Sequence, residues 1–140
     1  MDAKPYDFRR DRRWRNAVIT LVVLALLAGV WILFWPRFMA RRTVDRFFQS
    51  LERKNYQEAY AIWQPDPKAY PMDAFMSDWG PKSQWGTITR FHIAQLGVPP
   101  PRLGGHASGL VALVEINGNR TDEARIWIEN GSRVLSFYQY

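Results

Sequence analysis

The sequence predicts an α+β protein with a single transmembrane helix near its N-terminus, followed by a domain of about three helices packed on a curved antiparallel sheet of about four strands. Three observations predict this arrangement. Residues 17–35 are almost wholly apolar, apolar side chains recur at helical spacing between Val44 and Trp79, and from Trp85 onward they follow the patterns of strands. The predicted segments are a basic cytoplasmic tail at 1–16, the transmembrane helix at 17–35, a juxtamembrane linker at 36–43 and an exported domain at 44–140.

Composition and charge exclude several classes of protein. The 140 residues are 47% hydrophobic and 15% aromatic, which excludes a disordered chain, and they include no cysteine, which excludes disulfides, thiolate metal sites and a cysteine nucleophile. The net charge of +6 lies in residues 1–46, with ten Lys/Arg and four Asp, whereas residues 47–140 contain nine basic and nine acidic residues. A nucleic-acid-binding domain would carry its basic residues on the folded part, so we expect no nucleic-acid partner.

The apolar run from Ala17 to Trp35 contains one polar residue, Thr20. As a helix its nineteen residues would be roughly 28 Å long, close to the thickness of the hydrocarbon core of a bilayer. Because the run is apolar on every side, a buried position would require surrounding protein that the rest of the chain is too short to provide. We therefore expect the lipid bilayer as its partner, with Trp14, Trp31 and Trp35 at the membrane interface.

The basic residues that flank the run predict its orientation. Six precede it and four follow it within a similar distance. This difference favours an N-terminus in the cytoplasm, a position in the inner (cytoplasmic) membrane, and a C-terminal domain in the periplasm or outside the cell. A cleaved signal peptide is the alternative, but the run exceeds the usual apolar length of about 7 to 15 residues, and Phe38-Met39-Ala40 is a poor cleavage site.

Two amphipathic helices and a third short helix follow the linker. The first two have apolar stripes at Val44, Phe47, Phe48 and Leu51, and at Tyr56, Ala59, Tyr60 and Trp63. The stripes are out of register, which predicts a break at Lys54-Asn55 with Asn55 in the left-handed conformation. The segment 64–67, QPDP, ends the second helix. The third helix begins near Pro71, carries Met72, Phe75, Met76 and Trp79 on one face, and ends at Gly80-Pro81.

Four strands complete the domain. They are predicted at Trp85–Leu96, Leu110–Ile116, Arg120–Glu129 and Arg133–Tyr140, with an exposed Pro/Gly-rich loop at 97–106. A two-residue turn at Asn130-Gly131 would pair Ile126 with Leu135 and Trp127 with Val134. A second such turn at Asn117-Gly118 would set Glu115 against Arg120 and would put Val111 and Leu113 beside Ala124.

The segments 44–51, VDRFFQSL, and 55–60, NYQEAY, resemble the opening of the nuclear-transport-factor-2-like (NTF2-like) superfamily. The shared features are a Phe-rich helix, a turn after a short polar stretch, and a second helix with an Ala-Tyr or Ala-Trp pair. The resemblance covers about residues 40–140, and in particular the chain is similar to small membrane-anchored bacterial members. It implies a cone-shaped pocket between helices and sheet. It does not imply one function, because the superfamily contains isomerases, dehydratases, carrier-binding domains and assembly modules.

Five residues are candidates for the lining of such a pocket: Tyr60, Trp63, Phe75, Trp79 and His92. The aromatic residues are most simply core side chains, and the lining of an apolar ligand cavity is the other interpretation. His92 is the one catalytic candidate, but a strand histidine with no identified partner is more often structural than catalytic. Neither histidine has the spacing of a metal site, so we assign no catalytic residue, no metal and no cofactor.

Trp127, Tyr138 and Tyr140 form the candidate partner surface, because strand parity places them together on the face opposite the apolar one. Cover of the sheet by loops is the alternative interpretation. The favoured hypothesis is a non-enzymatic single-pass membrane protein that presents a binding or assembly module to a protein partner or forms a homo-oligomer, as an accessory subunit of an envelope complex. The other hypothesis is a membrane-tethered enzyme or carrier acting on a small apolar ligand.

Overall fold

A computed structural model describes residues 8–63, 66–97 and 109–138. Its helices are α1 (Phe8–Glu52), α2 (Tyr56–Trp63) and α3 (Met72–Trp79), and its strands are β1 (Phe91–Gly97), β2 (Gly109–Ile116), β3 (Asn119–Glu129) and β4 (Leu135–Phe137). The strands form one antiparallel sheet in the order β1-β2-β3-β4. The predicted α+β class and the four antiparallel strands are confirmed. The predicted loop at 97–106 lies, apart from Gly97, outside the described residues, as do Gln64 and Pro65.

The chain divides into two compact units, Met1–Trp35 and Pro36–Tyr140. The N-terminal unit holds the apolar run, whose large side chains are exposed. The rings of Trp31 and Trp35 stack with their centroids 4.9 Å apart. One helix of the described chain is long and apolar enough to cross a membrane, and none of its apolar window is buried by protein. Its exposed apolar surface therefore has the dimensions that a bilayer requires.

The predicted linker at 36–43 is helical, because α1 continues through Pro36 to Glu52. The expected transmembrane helix and the first helix of the domain are thus parts of one helix. Pro36 lacks the amide that would bond to the preceding turn, but the residues at 37–42, RFMARR, contain no Gly and no further Pro and mostly favour helix. Ala40 is already buried in the core, so packing also supports this part of α1.

A Schellman motif ends α1. The Asn55 amide donates to the Ser50 carbonyl at 2.8 Å, and the Lys54 amide donates to the Leu51 carbonyl at 2.9 Å. The helix breaks where predicted, but the left-handed residue is Lys54, with φ +59°, and not Asn55. Asn55 instead caps α2, since its Oδ1 accepts from the Glu58 amide at 3.3 Å and its Nδ2 donates to the Glu58 carboxylate at 2.9 Å.

Strand β1 begins at Phe91 and not at the predicted Trp85. The side chain of Asn117 binds the segment that precedes the strand. Its Nδ2 donates to the carbonyls of Trp85 and Thr87 at 3.2 and 3.1 Å, and its Oδ1 accepts from the Thr89 amide at 2.9 Å and the Thr89 hydroxyl at 3.1 Å. The backbone of this segment therefore bonds to one side chain in place of a neighbouring strand, which explains the late start of β1.

The loop between β3 and β4 contains four residues, 130–133, and not the predicted two-residue turn. The Glu129 amide donates to the Val134 carbonyl at 3.1 Å and closes this loop. Ile126 therefore pairs with Phe137, two residues further along β4 than predicted. Because a shift of two residues keeps every side chain on its face, the predicted faces of both strands are retained.

The turn between β2 and β3 lies where predicted, at Asn117-Gly118. Both residues have positive φ, +54° and +76°, as a type I′ turn requires, and Ile116 pairs with Asn119 across it. A Cβ at Gly118 would overlap the guanidinium of Arg90. Glycine is therefore favoured here by the backbone conformation, whereas the flexible end of the Arg90 side chain could move away from a Cβ.

A bulge of three residues, 120–122, follows the turn on β3. Glu115 consequently pairs with Glu123, and the predicted pair of Glu115 with Arg120 is wrong. The side chain of Asn119 supports the bulge, because its Oδ1 accepts from the amide of Thr121 at 3.1 Å and from its hydroxyl at 2.7 Å.

The bulge decides which side chains of β2 face the core. Because the number of extra residues is odd, Val114 lies opposite Ala124, where the sequence predicts Val111 and Leu113. Val114 is buried, whereas Val111 and Leu113 are half-buried on the other face. The hydrophobic pattern does not distinguish the two registers, since β2 is apolar on both faces.

The hydrophobic core of the C-terminal unit lies between the three helices and one face of the sheet. The helices contribute Val44, Phe47, Phe48, Leu51, Ala59, Trp63, Phe75 and Trp79, and the sheet contributes Ile93, Leu110, Ala112, Val114, Ile116, Ala124, Ile126, Ile128 and Leu135. The opposite face of the sheet, the outer face, carries the alternate residues of each strand.

Candidate functional site

Aromatic rings fill the interior between the helices and the sheet. Trp63, Phe75 and Trp79 are all buried. The ring centroid of Trp79 lies 5.5 Å from that of Trp63, 5.1 Å from that of Phe47 and 5.3 Å from that of Phe137, and the last pair is nearly parallel at 4°. Aromatic pairs of this kind add about 0.5–1.5 kcal/mol each beyond the burial of their area. The structure thus brings three of the predicted pocket residues together as one packed cluster.

Tyr60, the fourth pocket candidate, lies half-buried at the margin of this cluster, with its ring 5.4 Å from Phe75. Its hydroxyl donates to the Tyr70 carbonyl at 2.8 Å, and the Tyr70 hydroxyl donates to the Asp78 carboxylate at 2.6 Å. Burial raises the pKa of Tyr70, and its hydrogen bond to Asp78 and the negative charge of that carboxylate raise it further. Tyr70 is therefore a neutral donor that ties the segment after α2 to α3.

The indole nitrogen of Trp79 is a buried polar atom in this interior. The side chain is 1% exposed, and across residues 8–63, 66–97 and 109–138 its Nε1 meets no acceptor. The hydroxyl of Ser83, just after α3, is also buried and unpaired within the same ranges. Because buried donors are normally satisfied, an acceptor on a water molecule or a small ligand would be stabilised beside Trp79.

His92, the fifth pocket candidate, is not brought together with the other four. It is exposed on β1, where it precedes the buried Ile93 and pairs with Glu115 of β2. Alternation along the strand therefore places His92 on the outer face of the sheet.

Trp127 and Tyr138 lie together on the outer face. Their ring centroids are 6.2 Å apart, their planes differ by 16°, and both side chains are half-exposed. Val111 pairs with Trp127, whose indole ring lies against Gly109 so closely that a Cβ there would overlap it. We call Val111, Trp127 and Tyr138 the outer patch. Tyr140, the third residue of the predicted partner surface, lies outside the described residues.

The three tryptophans predicted at the membrane interface belong to the N-terminal unit. Trp14, Trp31 and Trp35 are 74%, 63% and 41% exposed, so their rings are accessible to lipid. An amphipathic indole ring at the end of an apolar run is typical of the headgroup layer.

A cavity of about 450 Å³ lies between α1, α2 and the β3–β4 loop. It is lined by Thr43 and Arg46 of α1, Glu58, Ala61 and Ile62 of α2, and residues 131–133 of the loop. We call it the arginine cavity, because Arg46 and Arg133 bring two positive charges to it. The sequence does not single it out, since no motif links two residues so far apart. Its one signal is that Arg46 lies off the apolar stripe of α1.

A second cavity, of about 380 Å³, opens beside β4, and we call it the edge cavity. Its lining includes Trp85 and Phe137, and also Glu123, Arg125 and Tyr138 from the outer face. The rings of Trp85 and Phe137 both stack on that of Trp79, at 6.4 and 5.3 Å, so the edge cavity borders the aromatic interior.

The search for a metal site and the comparisons with known proteins identify neither a ligand nor a family for this chain. In the part of the chain that the structure describes, no group of three or more His, Asp or Glu side chains is arranged to hold a metal ion. No family model, no curated protein and no solved structure matches the chain. The NTF2-like resemblance accordingly stays a prediction, and the arrangement that stands is one apolar N-terminal helix joined to an α+β unit with a four-stranded antiparallel sheet.

Proposed function

We propose that the protein is a non-enzymatic single-pass membrane protein that presents an α+β binding or assembly module on the exported side of the inner membrane, as an accessory subunit of an envelope complex. The outer patch is the observation that carries this proposal. It places two stacked aromatic rings and a valine on a sheet face that is turned away from the helices. Trp and Tyr are the residues most enriched where proteins bind one another.

The membrane placement rests on the apolar helix and on its flanking charges. The exposed apolar surface from Ala17 to Trp35 is stabilised by lipid and not by water. Six basic residues before the run against four after it support a cytoplasmic N-terminus. Residues 44–140 would then stand in the periplasm or outside the cell. A reporter fused after Tyr140 that is active only in the cytoplasm would contradict this placement.

The interior of the domain is filled by buried aromatic side chains, which favours a binding function at the surface of the domain. Trp63 and Trp79 contact each other, both contact Phe47, and Phe75 joins them through Phe47, so that these buried rings fill the interior between the helices and the sheet. The outer patch, by contrast, offers two half-exposed aromatic rings at the surface of the domain, as a protein contact requires.

Site-specific photo-cross-linking tests the partner surface. A photoreactive residue at Ser136, which pairs with Trp127, is placed in the full-length chain in native membranes. We expect one dominant adduct, whose mass separates a second copy of the chain from a different protein. Trp127→Ala combined with Tyr138→Ala should remove the adduct, whereas His92→Ala, which removes an exposed ring from the opposite edge of the same face, should keep it.

Two outcomes would refute the proposed surface. One is the absence of any adduct from the folded protein. The other is an adduct that survives the double substitution, with near-ultraviolet circular dichroism showing that the variant remains folded. Because both substituted side chains are half-exposed, we expect the variant to fold.

The edge cavity favours a second candidate function, a carrier or enzyme for a small apolar ligand. Its aromatic wall stacks on Trp79, whose buried Nε1 could donate to a polar group of such a ligand. Quenching of tryptophan emission on titration with a small apolar ketone tests this candidate. Quenching that disappears in Phe137→Ala would favour it, and a linear, unsaturable response would exclude it.

A further inference from the structure

The arginine cavity has the size and the lining of a small-ligand site. Its volume of about 450 Å³ lies within the usual range for ligand pockets, roughly 300–1,000 Å³. The polar side of the lining comes from α1 and the β3–β4 loop, and its apolar side comes from Ala61 and Ile62 of α2. A ligand that fills it would therefore combine an anionic group with a carbon portion.

The charges of the cavity favour an anion. Arg46 and Arg133 are exposed, and within the described ranges no hydrogen bond or ion pair engages either guanidinium. Glu58, the one acidic residue of the lining, accepts a hydrogen bond from Asn55 at 2.9 Å and brings one negative charge, so that with Arg46 and Arg133 the lining keeps a net charge of +1. Two uncommitted guanidinium groups can donate paired hydrogen bonds to the oxygens of one phosphate.

The loop holds Arg133 in a defined backbone conformation. Its φ of +60° is rare for a residue with a Cβ, and its amide donates to the Glu129 carbonyl at 3.1 Å. The hydroxyl of Ser132 also donates to the Glu129 carboxylate and accepts from the Val134 amide. The loop is thus ordered by its own hydrogen bonds before any ligand binds, which lowers the entropic cost of binding.

The geometry points to a binding site for an organic phosphate in the arginine cavity, with Arg46 and Arg133 on the phosphate and Ala61 and Ile62 against its carbon portion. Two sources carry this chemistry, a soluble phosphate ester and a phospholipid headgroup. Arg42, one helical turn before Arg46 on α1, is also exposed and adds a positive charge on the same side of the helix, towards the apolar run. Only the lipid source depends on the membrane placement proposed above.

Binding is measured on the full-length chain in nanodiscs of phosphatidylcholine. Glycerol 3-phosphate is titrated by calorimetry in these nanodiscs. Retention of phosphatidylglycerol over phosphatidylcholine is measured by native mass spectrometry on the chain released from nanodiscs that contain both lipids. Arg46→Gln with Arg133→Gln should weaken binding roughly tenfold or more. The matched control, Arg53→Gln with Lys82→Gln, removes two exposed charges outside the cavity lining and should change the affinity less than about twofold.

The two binding measurements distinguish a soluble phosphate ester from a phospholipid headgroup, and they test whether the arginine cavity binds phosphate at all. Binding of glycerol 3-phosphate without preference for phosphatidylglycerol identifies a soluble ester, and cavity-dependent retention of phosphatidylglycerol identifies a headgroup. The proposal is overturned if neither ligand binds, if the cavity variant binds like the native chain, or if the control loses as much affinity. A cytoplasmic reporter result would overturn the membrane placement alone, since binding of the soluble ester does not depend on topology.

Discussion

Replacing Asn117 with alanine should lower the free energy of unfolding of the C-terminal unit by about 3 to 5 kcal/mol. The side chain makes four hydrogen bonds, two from its Nδ2 to the carbonyls of Trp85 and Thr87, and two to its Oδ1 from Thr89. At the lower end of about 0.5–1.5 kcal/mol for each bond, their loss accounts for about 2 to 4 kcal/mol. Alanine at φ +54° adds about 1 kcal/mol of backbone strain.

Two further variants separate these terms. Asn117→Gly loses the same hydrogen bonds but adopts the positive φ without strain, so it should be about 1 kcal/mol more stable than the alanine variant. Asn117→Asp keeps the acceptor for Thr89 but sets a carboxylate oxygen against the carbonyls of Trp85 and Thr87, so it should be less stable than the native chain.

The assay is urea and thermal unfolding of the full chain in a mild detergent, followed by the near-ultraviolet circular dichroism of its tryptophans. A loss of 3 to 5 kcal/mol corresponds to a fall in melting temperature of about 12 to 20 °C for a unit of this size. A loss under about 1 kcal/mol for Asn117→Ala would show that the side chain does not hold the segment before β1. An Asn117→Gly variant no more stable than the alanine variant would show that the positive φ carries no strain for alanine.

The remaining predictions concern α3 and its surroundings. Trp79→Ala should cost about 3 to 5 kcal/mol of unfolding free energy because it empties the aromatic interior, and Trp79→Phe should cost clearly less; equal urea midpoints for the two variants would contradict the packing. Gly80→Ala should destabilise the end of α3, since a Cβ would overlap the Met76 carbonyl, and a native melting temperature is the contrary result. The raised pKa of Tyr70 contributes stability that is complete below its unfolded value of about 10 and is lost as the pH rises above it. Tyr70→Phe should therefore flatten the alkaline decline in unfolding free energy measured by urea titration, and an unchanged slope would show that the pKa of Tyr70 is not raised in the folded protein.

Local periodicity predicted those parts of the fold that depend on residues close in sequence. The bounds of α3 and the break before Tyr56 were recoverable because apolar spacing, Pro71 and Gly80 act within one or two helical turns. The faces of β3 and β4 were recoverable for a similar reason. An alternating strand keeps its faces even when the loop is two residues longer than expected.

The sequence-based predictions are wrong where a distant side chain or an unexpected backbone conformation determines the start or the register of a strand. The late start of β1 depends on Asn117, which lies far along the chain from Trp85. The register of β2 depends on a bulge that Asn119 supports. The apolar pattern of β2 does not indicate this bulge, because both faces of the strand are apolar. The arginine cavity escapes sequence analysis for the same reason, because Arg133 meets α1 only after the hairpin has folded.

The bulge affects how the hairpin tolerates insertions and deletions. A deletion at 120–122 that moved the pairing of β3 with β2 by one residue would turn Arg125 and Trp127 inward and Ile126 outward. A deletion that only shortened the bulge would leave Glu123 opposite Glu115 and every side chain on its present face. Length changes at this site should therefore be accepted wherever the unpaired residues absorb them, and the bulge would protect the faces of the hairpin.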